Sequence, residues 1–533
     1  MMNIFLRYFF CVSQCIAFSD ILFAQSGRLD PSFIIGSGAN TLNANAVQPD
    51  GKILIGGFLL EYNGTPITGI ARLNKDGSLD TSFNPGAGPS GGINSGGYGG
   101  VNVILPLLDG KILIAGNFNS FDGMPRHNLA RLHANGSLDV TFYTGAGTND
   151  EIISMILLPD GNILVGGKFT TAGGISRNYL ARFHPDGTFD QTFDPSTSIS
   201  EITNVNGVYS IISEPDGSIY VAGPFRSDNG NSAKNGLVRL LENGSVDPMF
   251  NTAGIGSNST IWRVLQQPDG KFLIMGDFTS YNGTPVNRIA RINPDGSIDT
   301  TFNTGVGVNG VGHYGFIVMT DAILQPDGKV ILTGDFSAYE NTPYSGIVRL
   351  NPDGTLDRTF DPGTGANNLV WAVSLLPDSR VLISGNFTSF DGQAMSSVAL
   401  LKNCYNIFTV QRVTACKQYV FNGITLTESG QYIQVINKAN GCDSTITLHL
   451  RIECPLVFPN LVTANADGIN DYLEILIPDN TFGIEIYNRW GSLIYKSERY
   501  TQDWPRDAKN GLYFYIIYND TDVIYKSWLQ VIE

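Results

Sequence analysis

The sequence predicts an all-β protein built from many short strands. Glycine is abundant, with 61 residues among 533, and only 15% of the residues are charged. Tyrosine and phenylalanine are frequent, with 22 and 30 residues. This composition is typical of strands that are joined by tight glycine turns, and Gly and Pro interrupt the chain too often for long helices. The length indicates several domains or an array of repeats.

The N-terminus predicts export. Residues 1–24 contain one early positive charge, Arg7, then an apolar stretch and Leu-Phe-Ala at 22–24, so we interpret them as a secretory signal peptide. A transmembrane anchor is the alternative, but Asp20 and the short apolar run disfavour it. No other run is long enough to span a bilayer, so no transmembrane helix is expected in the mature chain. The net charge of −15 argues against nucleic-acid binding, which requires a basic face.

An internal repeat occupies most of the chain. Turn aspartates recur every 51–59 residues, at Asp50, Asp109, Asp160, Asp216, Asp269, Asp327 and Asp378. This period fits one four-stranded β-propeller blade. In the fifth unit the expected strands are TIWRVLQ (260–266), FLIMGDF (272–278), RIARI (288–292) and SIDTTF (297–302), with tight glycine turns after the first and third.

The number of repeats predicts how the array closes. Seven units have the PDGK-like turn, but only six of them contain the final LDxxF segment. The seventh unit begins near Leu369 and ends at VALLKN (398–403), while an isolated copy, GRLDPSF, stands at 27–33. We therefore predict a seven-bladed β-propeller over 25–403 that is closed by an N-terminal strand, because an open ring would leave strand edges unpaired. An open solenoid is the alternative.

The repeat units resemble a known family. The segments QPDGKILIGG and NGTPITGIARLNKDGSLDTSF are similar to the delta-60 repeats of bacterial surface and secreted proteins, which are understood as β-propeller blades. The resemblance covers roughly residues 27–403. It implies the fold and says nothing about a ligand.

Residues that recur in every repeat are expected to maintain the fold. One arginine and one aspartate recur in six units, and we interpret them as ion pairs. They are Arg72, Arg131, Arg182, Arg239, Arg291 and Arg349, with Asp80, Asp139, Asp190, Asp247, Asp299 and Asp357. In the seventh unit Leu400 replaces the arginine, although Asp30 remains in the isolated strand.

One position varies between repeats and is therefore the candidate binding site. It lies six residues before each turn proline or its equivalent, and holds Asn43, Asn102, Ile153, Tyr209, Trp262, Thr320 and Trp371. These residues are expected at the loop-side entrance of the innermost strands. We predict Asn102, Tyr209, Trp262 and Trp371 as ligand-binding residues, since aromatic rings stack on sugar rings or aromatic groups. Packing between blades is the alternative.

The sequence contains no motif that assigns catalysis. No nucleophile elbow, HExxH or P-loop is present, and the five histidines are scattered. We therefore name no catalytic residue and expect a non-enzymatic role. A carboxylate pair of a glycosidase or lyase is the alternative, because such a pair requires no sequence spacing.

Residues 404–454 predict a small disulfide-bonded β module. Four cysteines, Cys404, Cys416, Cys442 and Cys454, fall within this segment of an exported chain and favour two disulfides over a zinc site, because no CxxC spacing is present. Three connectivities are open, of which we favour Cys416–Cys442 with Cys404–Cys454. The segment resembles small β-sandwich modules of exported Bacteroidetes proteins, which implies a spacer.

Residues 455–533 resemble a sorting domain. VFPNLVTANADGINDYLEI is followed by IEIYNRWGSLIY and NGLYFYIIY, as in the gliding-motility-associated C-terminal domain, the type B sorting signal of type IX secretion. Ala464 and Ala466 depart from the family pattern in the first loop. The resemblance implies a C-terminal β-sandwich domain, the type IX secretion machinery as a partner, and transport across the outer membrane.

The first loop of this domain also predicts a metal site. Asn465, Asp467, Asn470 and Asp471 supply oxygen atoms of the kind that bind Ca²⁺. An Asx-rich turn before a strand is the alternative. No other cofactor is expected.

Together these features predict a secreted or cell-surface protein of a Bacteroidetes-type bacterium. The propeller is expected to be a non-catalytic recognition scaffold for carbohydrate or for a surface protein. A polysaccharide- or peptide-degrading enzyme and a structural component of the cell envelope are the alternatives.

Overall fold

The computed structural model describes residues 26–92, 99–195, 199–201, 207–228, 233–252, 254–403, 408–415, 418–437, 443–452, 458, 460–463, 471–475, 482–504, 508–519 and 522–532. These residues are all-β, as predicted, and they fall into two compact units, 26–403 and 408–532. Within this described part, no helix is long and apolar enough to cross a membrane. The predicted signal peptide and the four cysteines lie outside the described residues.

The first unit consists of propeller-like repeats, and its described residues form seven sheets with one strand pattern. In each sheet the second strand pairs antiparallel with the first and the third. The first strands are Ala39–Val47, Gly100–Pro106, Ile152–Leu157, Ser210–Ser213, Ile261–Gln266, Val318–Leu324 and Val370–Leu375. The second strands are Ile53–Tyr62, Ile112–Asn117, Ile163–Gly167, Ile219–Asp228, Phe272–Gly276, Val330–Asp335 and Val381–Gly385. The third strands are Ile70–Leu73, Leu129–Leu132, Leu180–Phe183, Ala233–Leu240, Ile289–Ile292, Ile347–Leu350 and Val398–Leu401.

The expected fourth strand is shorter than the sequence suggests. In the fifth repeat it is a single β-bridge between Ile292 and Ile298. The next residue, Asp299, accepts hydrogen bonds from the backbone N–H and the hydroxyl of Thr301, at 2.9 and 2.7 Å. This Asx turn bends the chain away from the sheet after one residue pair, so the LDxxF segment is a bridge followed by a turn.

The loop between the second and third strands contains a further hairpin. In the fifth repeat Ser280–Tyr281 pairs with Thr284–Pro285. The two residues between them, Asn282 and Gly283, have φ values of 49° and 78°, as a tight hairpin turn requires. The other short strands are Thr65–Pro66, Pro89–Ser90, Ser120–Phe121, Met124–Pro125, Thr171–Ala172, Ile175–Ser176, Ser200–Glu201, Val308–Asn309, Ala338–Tyr339, Thr342–Pro343, Ser389–Phe390 and Gln393–Ala394.

The predicted arginine–aspartate pairs are confirmed. In all six repeats the arginine Nε lies 2.6–2.8 Å from the aspartate Oδ2. In five repeats the guanidinium also lies over the phenylalanine of the same LDxxF segment, at 4.7–5.0 Å from the ring centroid. In the seventh repeat Arg380, at the position of the PDGK lysine, lies 2.8 Å from Asp30, as Lys329 lies 2.8 Å from Asp357 in the sixth repeat.

The N-terminal segment adds to the last repeat. Leu29 forms a β-bridge with Leu401, and the N–H groups of Gly27 and Asp30 donate to the carbonyls of Lys402 and Leu400 at 2.7 and 2.8 Å. The Arg28 guanidinium contacts both Asp361 and Asp391 at 2.5 Å. Residues 29–33 therefore occupy the place that the LDxxF segment has in the other repeats.

One backbone hydrogen bond connects successive repeats. The residue after an LDxxF segment donates its N–H to a turn carbonyl of the following repeat at 2.7–3.1 Å: Asn84 to Asn135, Tyr143 to Asp186, Asn251 to Asp295 and Asn303 to Asp353. Asp361 donates in the same way to Ser26, and Ile34 donates to Asp76, both at 2.7 Å. The N-terminal segment is thus bonded to the sixth repeat on one side and to the first repeat on the other.

The hydrophobic core of this unit is divided between neighbouring sheets. One cluster combines Ile104 and Ile114 of the second repeat with Leu54 of the first. Another cluster combines Leu42 of the first repeat with Leu382 of the seventh, and also contains Phe33. Each sheet is therefore covered on both faces, which explains why its second strand is apolar throughout.

The described residues of the second unit form two larger sheets and a separate two-stranded hairpin. Among its described residues, Phe408–Ala415, Asp443–Ile452 and Gly430–Asn437 form one three-stranded sheet, with a hairpin of Tyr419–Phe421 and Ile424–Leu426. The second sheet has five strands in the order Leu461–Thr463, Val523–Ile532, Gly511–Tyr518, Gly483–Asn488 and Leu493–Ser497. This sheet covers a core that includes Trp504 and Tyr515. The described part of the predicted C-terminal sandwich is thus one five-stranded sheet, and its second layer stays a prediction.

Candidate functional site

The variable position of the repeats coincides with a β-bulge. In six first strands the pairing register shifts at this residue, at Asn43, Asn102, Ile153, Trp262, Thr320 and Trp371. In the fourth repeat Tyr209 directly precedes the strand and donates its N–H to Ala222 at 2.8 Å. A bulge adds one residue to one strand and redirects its side chain, so these residues are released from the alternating pattern of the sheet.

A glycine in the second strand makes each bulge possible. A Cβ atom on Gly276 would lie 2.0 Å from the carbonyl oxygen of Thr260, and one on Gly167 would lie 2.1 Å from that of Glu151. The same close approach recurs in all seven repeats, at Gly57, Gly116, Gly167, Gly223, Gly276, Gly334 and Gly385. The repeated glycine is therefore explained by contact with the bulged strand and not by turn geometry.

All seven variable residues line one cavity of about 740 Å³. Asn102, Tyr209, Trp262 and Trp371, the predicted ligand-binding residues, are among them. The cavity wall includes residues from each of the seven first strands. Sequence position alone therefore identified residues that the fold brings together from seven separate repeats.

The aromatic part of the wall is held in a fixed orientation. Tyr209 and Trp262 are stacked, with ring centroids 4.7 Å apart and planes inclined by 20°. The indole N–H of Trp262 donates to Asp277 at 2.9 Å. Burial raises the pKa of Asp277 despite this hydrogen bond, and burial also raises the pKa of Tyr209. Trp262 and Trp371 are half-buried, so part of each ring faces the open cavity.

Another part of the wall carries a chain of polar side chains. Asn43 Nδ2 donates to Asn102 Oδ1 at 3.0 Å, and Asn102 Nδ2 donates to Glu151 Oε2 at 3.1 Å. Lys168 Nζ lies 2.8 Å from Glu151 Oε1. Burial would lower the pKa of Lys168, but the hydrogen bond and charge of Glu151 raise it, so this lysine remains protonated.

A second ion pair lines the cavity. Arg263 Nε lies 3.0 Å from Asp321 Oδ1, and the other oxygen of Asp321 accepts the backbone N–H of Val373 at 3.0 Å. Neither ion pair was predicted from the sequence. Arg263 and Asp321 directly follow the bulged residue, and this position also varies between repeats. The variation therefore marks the second pair in the sequence.

The predicted calcium site and disulfides stay predictions. Asn465, Asp467 and Asn470 lie outside the described residues, whereas Asp471 lies within them. Cys404, Cys416, Cys442 and Cys454 also lie outside. In the described part of the chain, no group of three or more His, Cys, Asp or Glu side chains is arranged to hold a metal ion.

The repeats and the C-terminal segment match two known families. Residues 48–83, 107–142, 158–193, 214–250, 267–302 and 325–360 match a domain of unknown function, DUF5122, described as a beta-propeller. Residues 456–531 match the CHU_C type IX secretion signal domain. The class is thus an exported protein with propeller-like repeats. Specifically, the chain carries DUF5122 beta-propeller repeats and a C-terminal CHU_C signal, and it is exported to the cell surface or secreted.

Solved structures show only remote similarity. PorZ, an essential surface component of the type-IX secretion system of Porphyromonas gingivalis, is 13% identical with a TM-score of 0.35; the alignment covers 95% of this chain and 59% of that chain. A gluconolactonase of Xanthomonas campestris is 11% identical, with a TM-score of 0.33 and coverage of 69% and 87%. YCF48 of Cyanidioschyzon merolae is 12% identical, with a TM-score of 0.36 and coverage of 68% and 94%. A search of curated proteins finds no match.

Proposed function

We propose that the protein is an exported recognition protein whose propeller presents a non-catalytic binding cavity to carbohydrate or to a surface protein outside the cell. The observation that carries this proposal is the contrast between two sets of residues. Framework residues are repeated from unit to unit, whereas the bulged residues vary and line one cavity. Variation at a place that the scaffold holds fixed is typical of a recognition surface.

The proposal includes a closed ring of seven blades. It is supported by the equivalence of Ser26 with Asp76, since each accepts the same backbone hydrogen bond from the preceding repeat. It is also supported by the packing of the first strand of the first repeat, Ala39–Val47, against that of the last, Val370–Leu375. Closure would fix the distances between all seven bulged residues, and binding sites gain affinity from such preorganisation.

A non-catalytic role is supported by the state of the carboxylates in the cavity wall. Glu151 and Asp321 are each paired with a cation, and each accepts a further hydrogen bond. A general acid or base must be able to exchange a proton with the substrate near the working pH. All four carboxylate oxygens contact a cation or a donor within the wall, so neither group is presented free to a substrate.

The experiment is a screen of the full mature chain against immobilised glycans and extracellular proteins, scored for retention and for cleavage products. Trp371→Ala is expected to reduce retention at least tenfold while the thermal unfolding temperature stays unchanged. Trp490→Ala is the matched control, because Trp490 is exposed and belongs to the second unit. Unchanged retention by Trp371→Ala would contradict the proposed site. Loss of folding would indicate that the indole ring of Trp371 serves packing between blades.

The same screen separates the alternatives. Product formation by the wild-type protein would identify a polysaccharide- or peptide-degrading enzyme. The absence of both retention and product would favour a structural component of the cell envelope. The proposal requires retention without product.

A further inference from the structure

We infer that the cavity binds an uncharged, hydroxyl-rich ring, namely a neutral sugar residue, and that its paired ions exclude uronic acids and sulfated sugars. This inference rests on the proposed function, because it names the ligand class of the same cavity. Three features of the wall carry it: the pairing of its charges, an acceptor without a donor, and a rigid aromatic surface.

The first feature is the charge balance. The described residues that line the cavity include two cations and two carboxylates, Lys168 with Glu151 and Arg263 with Asp321. They form two ion pairs, at 2.8 and 3.0 Å. An anionic ligand would compete with Glu151 and Asp321 for these cations, and each carboxylate is less exposed than its cation, so weakening either pair would be unfavourable. A cationic ligand would meet the same obstacle with the sign reversed.

The second feature is an acceptor that requires a donor. Asn45 lines the cavity, and its Nδ2 donates to Ser384 Oγ at 2.8 Å and to the Ala372 carbonyl at 3.2 Å. Its Oδ1 is buried and has no hydrogen-bond partner in the described structure. A buried acceptor without a donor is unfavourable, so a ligand hydroxyl that donates to it after the Asn45 amide turns toward the cavity would stabilise the complex. A carboxylate or sulfate oxygen of a ligand would repel it.

The direction of the polar chain gives the same preference. Lys168 and Asn102 donate to Glu151, and Asn43 donates to Asn102, so these donors are already used within the wall. Lys168 and Arg263 carry further N–H groups beyond those that face their carboxylates, so the wall presents donors as well as acceptors. Hydroxyl groups suit such a surface, because each supplies one donor and also accepts, whereas anionic groups only accept.

The third feature is the aromatic surface. Trp262 is fixed on one side by the stacked ring of Tyr209 and at its edge by Asp277. Trp371 lies in the same wall, from a different repeat. Flat rings that are held rigidly provide a large apolar contact at low entropic cost. A sugar ring has apolar C–H faces and hydroxyls at its edge, and it matches aromatic rings and amide oxygens in one cavity.

The charge argument predicts a change of specificity. Glu151→Gln keeps the size of the side chain but removes the negative charge that balances Lys168. The variant would then present an unpaired cation to the cavity. We expect it to bind an oligogalacturonate at least tenfold more tightly than the wild-type protein does.

The test measures binding of the full mature chain by isothermal titration calorimetry. The probes are neutral gluco-, manno- and xylo-oligosaccharides, an oligogalacturonate and a sulfated oligosaccharide. The wild-type protein is expected to bind at least one neutral probe and neither acidic one, and Trp371→Ala is expected to weaken the neutral complex at least tenfold. Glu61→Gln, on the exposed outer part of a second strand, is the matched control and should change nothing.

Each outcome decides between the claims. Acidic sugars that bind the wild-type protein as tightly as neutral ones would overturn the inference, and so would a Glu151→Gln variant without increased affinity for the oligogalacturonate. Retention of a protein ligand with no sugar binding would also overturn it, while leaving the proposed recognition function in place. The proposed function itself fails if no ligand is retained, if the wild-type protein forms product, or if Trp371→Ala leaves the retention of every ligand unchanged.

Discussion

The ring proposal makes its sharpest prediction at Phe33, in the N-terminal segment. Phe33 is 4% exposed and packs in the cluster shared by the first and seventh repeats, whereas the adjacent Ile34 is 71% exposed. Truncating a buried phenylalanine to alanine typically costs about 3–5 kcal/mol. We therefore expect Phe33→Ala to destabilise the first unit by about 3 kcal/mol, and Ile34→Ala by less than about 0.5 kcal/mol, as is usual for exposed positions.

The assay is native-state hydrogen exchange of the full chain, resolved by mass spectrometry of peptides from each repeat. A loss of about 3 kcal/mol raises the opening equilibrium roughly a hundredfold. In a closed ring that opens as one unit, the protected amides of all seven first strands should exchange faster by a similar factor. Phe142→Ala, at the same position of the second repeat and fully buried, should give the same pattern.

The result that would refute this reasoning is an increase in hydrogen exchange that stays local. If Phe33→Ala increased exchange only in the first and seventh repeats, the N-terminal segment would be a frayed end of an open array. In such an array each repeat contacts only its neighbours, and a defect at one end does not spread. Closure would be contradicted equally if Phe142→Ala increased exchange in all repeats while Phe33→Ala increased it only locally.

Three further predictions concern the framework and the export signal. Burial would raise the pKa of Asp357, but hydrogen bonds from Lys329 and Thr359 and the charge of Arg349 lower it to about 2, so these interactions together contribute about 2 kcal/mol above pH ~4. That contribution is lost as the pH falls from ~4 to 2. The free energy of unfolding in urea should therefore fall less over this range for Asp357→Asn than for the wild-type protein, and an equal fall would contradict the assignment. Gly276→Ala should destabilise its repeat by more than about 2 kcal/mol, since the added Cβ meets a carbonyl oxygen, and unchanged thermal unfolding would argue against the bulge geometry. Deleting 456–531 should leave the protein in the periplasm in fractionation experiments, and normal surface display would contradict the secretion assignment.

The framework of the repeats was predictable because it is encoded locally. The PDGK-like turns, the arginine–aspartate pairs and the apolar second strands all recur at fixed offsets, and the structure confirms the pairs residue by residue. The fourth strand was predicted too long, because the backbone N–H two residues after each aspartate donates to its carboxylate and completes an Asx turn. Alternation of apolar residues does not reveal that competing hydrogen bond.

The candidate site was only partly predictable. The variable position identified Asn102, Tyr209, Trp262 and Trp371 because the repeats act as controls for one another. Glu151 and Lys168 were missed, since their pairing joins the first and second strands of one sheet and becomes visible only when the strands are in register. The bulge itself has a local marker, the glycine of the second strand, but its partner carbonyl is not identifiable from sequence.

The sequence by itself determined the class of fold, the repeat number, the internal ion pairs and the export signal, because each depends on short patterns of turns, apolar residues and motifs. The tertiary structure alone decided that seven residues, spread over more than 300 positions of the chain, line one cavity, and that its charges are paired. The physical reason is that this convergence depends on the packing of separate sheets against one another and on a bulge in six of the seven first strands. Such contacts between distant segments leave no periodic signal in the chain.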